Sequence, residues 1–375
     1  MFTRLRANLG RFDWVLLFAV LVLTTIGFAM IWSVALSRDP NELGLVKKQA
    51  FAFAIGILIV FFLATANYRL LQNYAPVIGF IAILLLVGVL IFGKTIRGTT
   101  GWFSVAGVNF QPVEFAKFAL VLFLAKYLAD HPRTSFGVRE FVLTSVLVGG
   151  GVGLILLQPD LGSALVLIAI WCGLLFFARI PKRYLALLIG GGLVALILAW
   201  FFLASYQRDR ILTFLDPSRD PLGRGYNVTQ ALIAVGAGEL TGRGLGFGSQ
   251  SQLRFLPESQ TDFIFAVIAE ELGLAGVLVV LAGFAVLFHR MLAIARTVPD
   301  DFTVFLTLGI FIIFGVQFVV NVGMNLGLLP VTGIGLPFLS YGGSSLLVSL
   351  LMLGVLESIA VRRPLVRMQS SPGVR

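Results

Sequence analysis

Four ionisable side chains lie beside apolar stretches of this chain, where a charge is costly. Asp262 directly precedes a long apolar run in "TDFIFAVIAEELG", and Asp160 lies between two apolar runs in "QPDLGSA". Glu114 and Lys117 are three positions apart in an apolar stretch, so they share one face of a helix. Partial removal from water shifts a carboxylate towards the pKa of a general base, and a lysine can bind a phosphate. The set predicts base catalysis on an anionic substrate.

Each of these residues also has a simpler structural interpretation, which the sequence leaves open. Asp160 and Asp262 are placed to cap the helices that follow them. Glu114 and Lys117 are spaced to form an ion pair within one helix. All four residues nevertheless fall on the same predicted side of the membrane, and residues without a shared role would be expected on both sides. This convergence favours one polar site.

Glu270 and Glu271 lie about two turns beyond Asp262, inside the same apolar run. Charged residues at such a depth usually face a cavity or a partner. We therefore expect one of these two glutamates to pair with a basic residue on a neighbouring helix.

The composition excludes a soluble enzyme. Of the 375 residues, 58% are hydrophobic and only 12% are charged, about half of the ~25% usual in globular domains. The mean hydropathy is +0.97. The single cysteine, Cys172, cannot form a disulfide framework, and no metal-binding motif is present. These values indicate one polytopic membrane domain.

Apolar runs of about 17 residues or more can cross the ~30 Å hydrocarbon core, and helices satisfy their own backbone there. The sequence therefore predicts an all-α integral membrane protein with about ten transmembrane helices. We assign residues 1–363 to one membrane domain and 364–375 to a flexible cytoplasmic tail. The predicted spans are Trp14–Leu36, Gln49–Ala66, Tyr74–Phe92, Pro112–Leu128, Phe141–Leu157, Leu161–Ala178, Tyr184–Ala204, Phe263–Phe288, Phe302–Leu326 and Ser340–Ala360.

The distribution of basic residues predicts the orientation. More than half of the 28 Lys and Arg fall on the side of the N-terminus, and few lie in the short loops opposite. The positive-inside rule then places both termini in the cytoplasm. The net charge of +10 is a topology signal, so we expect membrane lipids and not nucleic acid as partners.

One long polar loop, residues 205–261, joins spans 7 and 8 on the predicted outer face. Loops of this length are usually functional or disordered. Its aromatic residues, mixed charge and apolar stretch Val228–Val235 favour an ordered loop on the membrane surface. Arginines beside an outer cavity suit a diphosphate headgroup, although solvation alone also explains them. Arg210, Arg243 and Gln230 complete the predicted substrate-binding set.

The last two predicted spans are separated by a glycine- and proline-rich stretch, "NLGLLPVTGIGLPFLSYGGSS". Irregular backbone at membrane depth is tolerated mainly where it lines a cavity or contacts protein. We expect this stretch to shape the same site as Asp262.

Five stretches together carry a family resemblance, in order along nearly the whole chain. They are "FQPVEFAK", "QPDLGSA", "FLDPSRDPLGRGY", "SQSQLRFLPESQTDFIFAVIAEELG" and "LLPVTGIGLPFLSYGGSS". The chain resembles the shape, elongation, division and sporulation (SEDS) family. The resemblance implies a ten-span peptidoglycan glycosyltransferase that polymerises lipid II with a class B penicillin-binding protein as partner. It also implies that Asp262 is the essential aspartate, that Glu114 and Lys117 form the polar pair of the fourth span, and that Asp160 is the motif aspartate.

Three positions depart from the usual pattern of the family. Val113 stands where the family has serine, Gln260 where it has histidine, and Gly101 where an arginine commonly precedes the tryptophan. Arg97 is the nearest residue that could replace the missing arginine. None of the departures removes Asp262.

We hypothesise that Asp262 deprotonates an acceptor sugar hydroxyl, which displaces a lipid diphosphate with inversion. Such a leaving group needs no general acid. No organic cofactor is expected, and a divalent cation, Mg²⁺ or Mn²⁺, is an optional aid to the leaving group. Two alternatives are a lipid II flippase, since broken helices suit alternating access, and a scaffold for a penicillin-binding protein. The "FLPES" and "TDFIF" stretches and the short tails favour a role in elongation over division.

Overall fold

The structure is a computed structural model that describes residues 10–36, 43–96, 98–105, 108–131, 134, 136–202, 205–216, 219–220 and 223–363. At some positions within helices, Arg210 among them, it describes the backbone alone. The predicted tail, residues 364–375, lies outside the described residues, so that prediction is left as it stands.

Ten helices of 17 or more residues make up most of the described chain. Their bounds are α1 Trp14–Leu36, α2 Leu43–Thr65, α3 Arg69–Phe92, α4 Pro112–Asp130, α5 Val138–Leu156, α6 Leu161–Phe177, α7 Lys182–Phe202, α11 Ile264–Thr297, α12 Asp301–Asn325 and α13 Gly343–Arg362. They coincide with the ten predicted spans to within a few residues at most ends. The apolar runs therefore locate the helices well.

By length and hydropathy, seven of the described helices can cross a membrane: α1, α2, α3, α5, α11, α12 and α13. Helix α6 is apolar but has only 17 residues. Helix α4 includes Glu114, Lys117 and Lys126, which lower its hydropathy. The multi-pass helical fold is thus confirmed, and the number of ten crossings stays a prediction.

The chain between α3 and α4 forms a small antiparallel sheet that the sequence did not predict. Its strands are β1 Lys94–Ile96, β2 Thr99–Val105 and β3 Val108–Phe110, in the order β1-β2-β3. Thr95 pairs with Thr100, and Phe103 pairs with Phe110. Threonine and aromatic residues favour such a pleated surface, and the sheet leads directly into α4.

The long loop contains three shorter helices, α8 Ser205–Leu215, α9 Arg224–Ala237 and α10 Ser249–Gln252. The predicted apolar stretch lies within α9, where Ala231 and Ala234 are fully buried. Helix α9 packs against α11. The described residues of the loop, 205–216, 219–220 and 223–261, are therefore ordered.

Helix α11 is broken at Gly273, where φ is +65° and ψ is −164°. The nine residues before the break, Ile264–Leu272, form what we call the buried half-helix, because all but Leu272 are buried. In α11, exposed apolar side chains such as Leu274 and Leu278 appear only after the break. The predicted span Phe263–Phe288 coincides with most of α11, which is long and apolar enough to cross a membrane. The break at Gly273 was not predicted, since hydropathy does not reveal a helix break.

Helix α12 ends at Asn325 and α13 begins at Gly343, so residues 326–342 are non-helical. We call residues 326–342 the connecting segment. Helix α13 lies at the centre of the bundle, with 83% of its most apolar window buried. It packs along α2, where the Arg362 guanidinium donates to the carbonyl oxygens of Ala64 (3.0 Å) and Thr65 (2.6 Å).

At the end of the bundle opposite the connecting segment, α1, α11 and α13 meet in a buried charge cluster. The Asp13 carboxylate accepts from Arg290 Nε at 3.0 Å to each oxygen. The Asp13 backbone N–H donates to Glu357 Oε2 at 2.9 Å. Asp13 also accepts from the Leu16 N–H at 3.2 Å, within the first turn of α1. This cluster ties the start of the chain to its last helix.

Candidate active site

Asp262 lies in the turn directly before the buried half-helix and is half-buried. Its N–H donates to the Glu258 carbonyl at 3.1 Å. Its own carbonyl accepts from the Nδ2 atoms of Asn321 (2.9 Å) and Asn325 (3.0 Å), at the end of α12. The Asn325 Oδ1 atom also accepts from the Ala266 N–H at 3.0 Å. The main chain of the aspartate is therefore fixed by a second helix.

An asparagine of α12 takes part in capping α11. The N-cap position of α11 is Phe263, with no capping hydrogen bond from its own side chain. Asn325 satisfies the Ala266 N–H from another helix. No local sequence pattern predicts this asparagine pair, because it lies about sixty residues from Asp262 in the chain.

The connecting segment is fastened to the Asp262 turn by its backbone. The Tyr341 N–H donates to the Gln260 carbonyl at 2.8 Å, and Ser340 Oγ donates to the Thr261 carbonyl at 2.6 Å. A Cβ atom at Gly333, where φ is +79°, would lie 3.7 Å from Asp262 Oδ2. The Asp262 carboxylate thus lies beside the glycine-rich backbone that the sequence predicted would shape the site.

Asp160 caps α6, where it accepts from the Ser163 N–H at 2.9 Å, so its capping interpretation is confirmed. Close by, Gly162 packs so tightly on the connecting segment that a Cβ atom would lie 2.8 Å from the Thr332 carbonyl oxygen. Gly162, two residues after Asp160, and Asp262 therefore border neighbouring residues of the same segment, Thr332 and Gly333. The structure brings these two predicted residues to one region.

Glu114 and Lys117 form an ion pair, with 2.8 Å between Lys117 Nζ and Glu114 Oε1. Lys117 is only 3% exposed. Helix α4 starts next to the first turn of α13, because the Gln111 N–H donates to Ser344 Oγ at 3.2 Å. The pair therefore belongs to the end of the bundle where the connecting segment joins α13. The ion-pair interpretation is confirmed, and contact with substrate stays a prediction.

The three predicted loop residues are more widely spread. Arg243 is exposed, and its Nε donates to the Ala237 carbonyl at 3.2 Å. Gln230 is half-buried in α9. Arg210 lies in α8, with its side chain outside the described part of the chain. Substrate binding stays a prediction for each of the three residues.

The expected ion pair of Glu270 or Glu271 was wrong for the described residues. Both glutamates are fully buried, and they accept hydrogen bonds from backbone N–H groups and from uncharged side chains of the long loop and α1. The sequence could not reveal these partners, because small polar residues of a loop have no charge pattern.

The family departures have structural correlates. Gly101 is buried, and a Cβ atom there would lie 3.2 Å from Gln158 Oε1, so an arginine would require Gln158 to move. Val113 is 1% exposed and Gln260 is 5% exposed. Arg97 lies outside the described residues.

The donor set does not fit a protein-held divalent cation. Among the described residues, no group of three or more His, Cys, Asp or Glu is gathered closely enough to hold a metal ion. The expected Mg²⁺ or Mn²⁺ is therefore unsupported by these side chains, and the mechanism proposed below contains no step through a metal.

The fold and the site together define a multi-pass membrane protein with a polar site at one end of its helix bundle. Residues 13–364 match the FtsW/RodA/SpoVE family, described as cell cycle proteins. The chain belongs to this family, which is the SEDS family that its motifs resemble.

Named relatives cover nearly the full length of the chain. It is 36% identical to the peptidoglycan glycosyltransferase MrdB of Escherichia coli K12, over 94% of both chains. It is 37% identical to a probable peptidoglycan glycosyltransferase FtsW of Trichlorobacter lovleyi, again over 94% of both. It is 38% identical to stage V sporulation protein E of Bacillus subtilis, over 93% of this chain and 96% of the relative. The chain is a peptidoglycan glycosyltransferase.

Solved structures agree in fold. RodA, the rod-shape-determining protein of Thermus thermophilus, matches with a TM-score of 0.70 and 32% identity, covering 94% of this chain and 97% of RodA. A chain from a peptidoglycan synthase complex that coordinates polymerisation and crosslinking matches with a TM-score of 0.78 and 35% identity, covering 93% and 97%. The motifs had indicated a protein most like RodA, with FtsW as the near relative, and both names occur among the matches.

Proposed function

We propose that this glycosyltransferase polymerises lipid II into glycan strands, with Asp262 as the general base. The observation that carries the proposal is the position of the aspartate. Its carboxylate is half-buried beside the backbone of Gly333, and its main chain is held by Asn321 and Asn325. A base held in this way is partly shielded from water and has a fixed backbone, so its carboxylate can be positioned towards an acceptor hydroxyl.

In the proposed reaction, the Asp262 carboxylate takes the proton of an acceptor sugar hydroxyl. The hydroxyl oxygen then forms a bond to the anomeric carbon of a second lipid-linked chain. The bond from that carbon to the diphosphate oxygen breaks, and its electron pair leaves with the lipid diphosphate. The Asp262 proton passes to water afterwards. A single displacement inverts the anomeric centre, and one carboxylate is sufficient because a diphosphate is already a good leaving group.

Cationic residues would stabilise the departing diphosphate. Lys117 is the buried candidate, and Arg210 and Arg243 are the loop candidates, with Gln230 as a neutral hydrogen-bonding group. Glu114 would orient Lys117 through their 2.8 Å contact. Asp160 would act through α6, the helix that it caps, whose Gly162 packs on Thr332 of the connecting segment.

The proposed setting is the bacterial inner membrane, with both termini in the cytoplasm and Asp262 facing outward. Lipid II would enter from the outer leaflet, so that the site meets the headgroup while the tail stays in the bilayer. We propose a class B penicillin-binding protein as the crosslinking partner, since a solved chain of similar fold belongs to a peptidoglycan synthase complex. The role we favour is cell elongation.

The test uses purified full-length protein, purified lipid II and a class B penicillin-binding protein, with glycan length read on a gel. Asp262→Asn keeps the shape of the side chain but removes the base, and we expect a loss of about 10²- to 10⁴-fold in rate. Asp301→Asn, an exposed acid at the start of α12, is the matched control and should polymerise normally.

The outcomes separate the competing functions. Polymerisation by the wild type and by Asp262→Asn at similar rates would disprove the base assignment. An absence of glycan from folded wild type with its partner would redirect the proposal to lipid II transport or scaffolding. A leaflet-translocation assay in proteoliposomes would then distinguish those two functions.

A further inference from the structure

The two buried glutamates of α11 hold the long loop by accepting hydrogen bonds from its uncharged groups. Glu270 Oε1 accepts from the Gln250 N–H at 2.7 Å and from Ser249 Oγ at 3.4 Å. Glu270 Oε2 accepts from the Ser251 N–H at 3.1 Å. The carboxylate therefore binds the short helix α10 through two successive backbone amides.

Glu271 joins the same loop to α1. Its Oε2 accepts from Ser33 Oγ at 2.6 Å and from the Gly246 N–H at 3.2 Å. Its Oε1 accepts from Gln252 Nε2 at 2.8 Å and from Ser251 Oγ at 3.2 Å. Helix α11, helix α1 and the long loop therefore meet at the Glu271 carboxylate.

The break at Gly273 lets the loop backbone complete the helix. In an unbroken helix the Leu274 N–H would bond to the Glu270 carbonyl. Here the Leu274 N–H donates to the Glu239 carbonyl at 2.9 Å, and the Glu270 carbonyl accepts from the Arg243 N–H at 2.9 Å. The next residue along repeats the exchange. The Ala275 N–H donates to the Leu240 carbonyl at 3.2 Å, and the Glu271 carbonyl accepts from the Gly244 N–H at 3.0 Å.

Glycines permit this close crossing. A Cβ atom at Gly242, where φ is +80°, would lie 2.2 Å from the Glu271 carbonyl oxygen. One at Gly238, at the end of α9, would lie 1.8 Å from the Ala269 carbonyl oxygen. One at Gly248 would lie 2.7 Å from Glu270 Oε2. Residues 238–252 are therefore packed backbone against backbone on the buried half-helix.

Helix stability does not explain two carboxylates at this point. They lie at the C-terminal end of the buried half-helix, where the helix dipole disfavours negative charge. Both are fully buried, and among the described residues neither has an ion pair. Buried carboxylates without cations need several hydrogen bonds to offset desolvation. The donors that satisfy them belong almost entirely to the loop.

We infer that Glu270 and Glu271 are positioning residues that lock residues 239–252 of the long loop onto the buried half-helix. This inference rests on the proposed function, because the lock sets the place of loop groups relative to Asp262. Eight residues, about 12 Å of helix, separate Asp262 from Glu270. The lock fixes Arg243 through the backbone of Arg243 itself. It fixes α9, the helix that contains Gln230, through Gly238.

The two glutamates should differ in their response to an isosteric change. In Glu270→Gln, the new NH₂ group must face a backbone N–H of Gln250 or Ser251, and neither donor can turn. In Glu271→Gln, the NH₂ group can donate to Ser33 Oγ, because a hydroxyl can also accept. Only the 3.2 Å contact with Gly246 is then lost. Glu270→Gln should therefore be the more damaging variant.

The experiment measures hydrogen exchange of the amides at 246–252 in the full-length protein in nanodiscs, with lipid II polymerisation on the same samples. Local exchange reports the opening of a segment independently of activity. We expect Glu270→Gln to speed exchange there by about tenfold or more, and Glu271→Gln by about threefold or less. Gly248→Ala should reproduce Glu270→Gln with both carboxylates intact. Gly236→Ala is the matched control, since nothing lies within 4 Å of its added Cβ.

Loss of the lock should weaken substrate binding and thereby reduce polymerisation. We expect Glu270→Gln and Gly248→Ala to raise KM for lipid II by about fivefold or more, with a smaller change in kcat. Unchanged exchange in both variants would overturn the lock. Normal exchange with abolished activity in Glu270→Gln would also overturn it, because Glu270 would then act on the substrate itself. Faster exchange in a protein whose wild type makes no glycan would leave the lock standing and reject the proposed function.

Discussion

At the scale of single residues, the role of Lys117 depends on what else its ammonium group contacts. The ion pair with Glu114 satisfies a charge that is 3% exposed. A lysine that served only this pair would be dispensable together with its partner, because replacing a buried ion pair by apolar groups is often neutral. A lysine that also binds the diphosphate would not be dispensable.

A double substitution separates these roles. Lys117→Met alone leaves Glu114 without its cation, and we expect a loss of about 3 kcal/mol in unfolding free energy and no polymerisation. Glu114→Gln combined with Lys117→Met should recover most of the stability, measured by thermal unfolding in detergent. Activity should stay at least about tenfold below wild type, because the phosphate contact is still missing. Full activity in the double variant would reduce the pair to a structural contact.

At the scale of elements, the connecting segment is held from several helices. Gln49 of α2 donates from Nε2 to the Ser340 carbonyl at 3.2 Å and accepts from the Gly342 N–H at 3.1 Å. In α1, a Cβ atom at Gly27 would lie 2.6 Å from the Leu339 carbonyl oxygen. Because Ser340 also bonds the Asp262 turn, a shift at α1 should reach the site.

Gly27→Ala tests this connection. The added methyl group must displace the backbone at Leu339, and we expect a cost of about 1–3 kcal/mol in stability with at least a tenfold loss of polymerisation. Gly149→Ala is the control, since its added Cβ has nothing within 4 Å. The measurements are thermal unfolding and glycan synthesis on matched preparations. Normal activity in a destabilised Gly27→Ala protein would show that the connecting segment tolerates displacement.

At the scale of the whole molecule, the two ends of the bundle have different chemistry. One end gathers Asp262, Asp160 and the Glu114 pair around the connecting segment. The other end closes α1, α11 and α13 with Asp13, Arg290 and Glu357. The second cluster lies about 28 residues along α11 from Asp262, so no direct contact joins it to the site.

Arg290→Gln should therefore weaken the fold without altering the chemistry. It leaves the buried Asp13 carboxylate without its cation, and we expect a loss of about 3 kcal/mol in stability. At a temperature where the variant stays folded, kcat/KM should remain within about twofold of wild type. Asp13→Asn added to Arg290→Gln should restore part of the stability. A large fall in kcat/KM of the folded single variant would indicate coupling between the two ends.

Hydropathy and motif order were sufficient for much of this protein. Ten apolar runs located ten helices because a bilayer-sized apolar stretch has few other ways to satisfy its backbone. Local spacing was sufficient for the Glu114–Lys117 pair and for the Asp160 cap, since three or four residues fix those contacts. The connecting segment was also predictable locally, because its glycines and prolines interrupt the helical pattern.

The tertiary structure decided what depends on contacts between distant parts of the chain. The asparagine pair behind Asp262, the break at Gly273 and the uncharged partners of Glu270 and Glu271 all join elements that are separated in sequence or hidden within an apolar run. A loop that supplies the missing hydrogen bonds of a broken helix leaves no periodic pattern. The sequence by itself thus determined which residues are candidates for the chemistry and where the ten long helices lie. Only packing determined which backbone holds each reactive group in place, because hydrogen bonds between distant segments form only when the chain is folded.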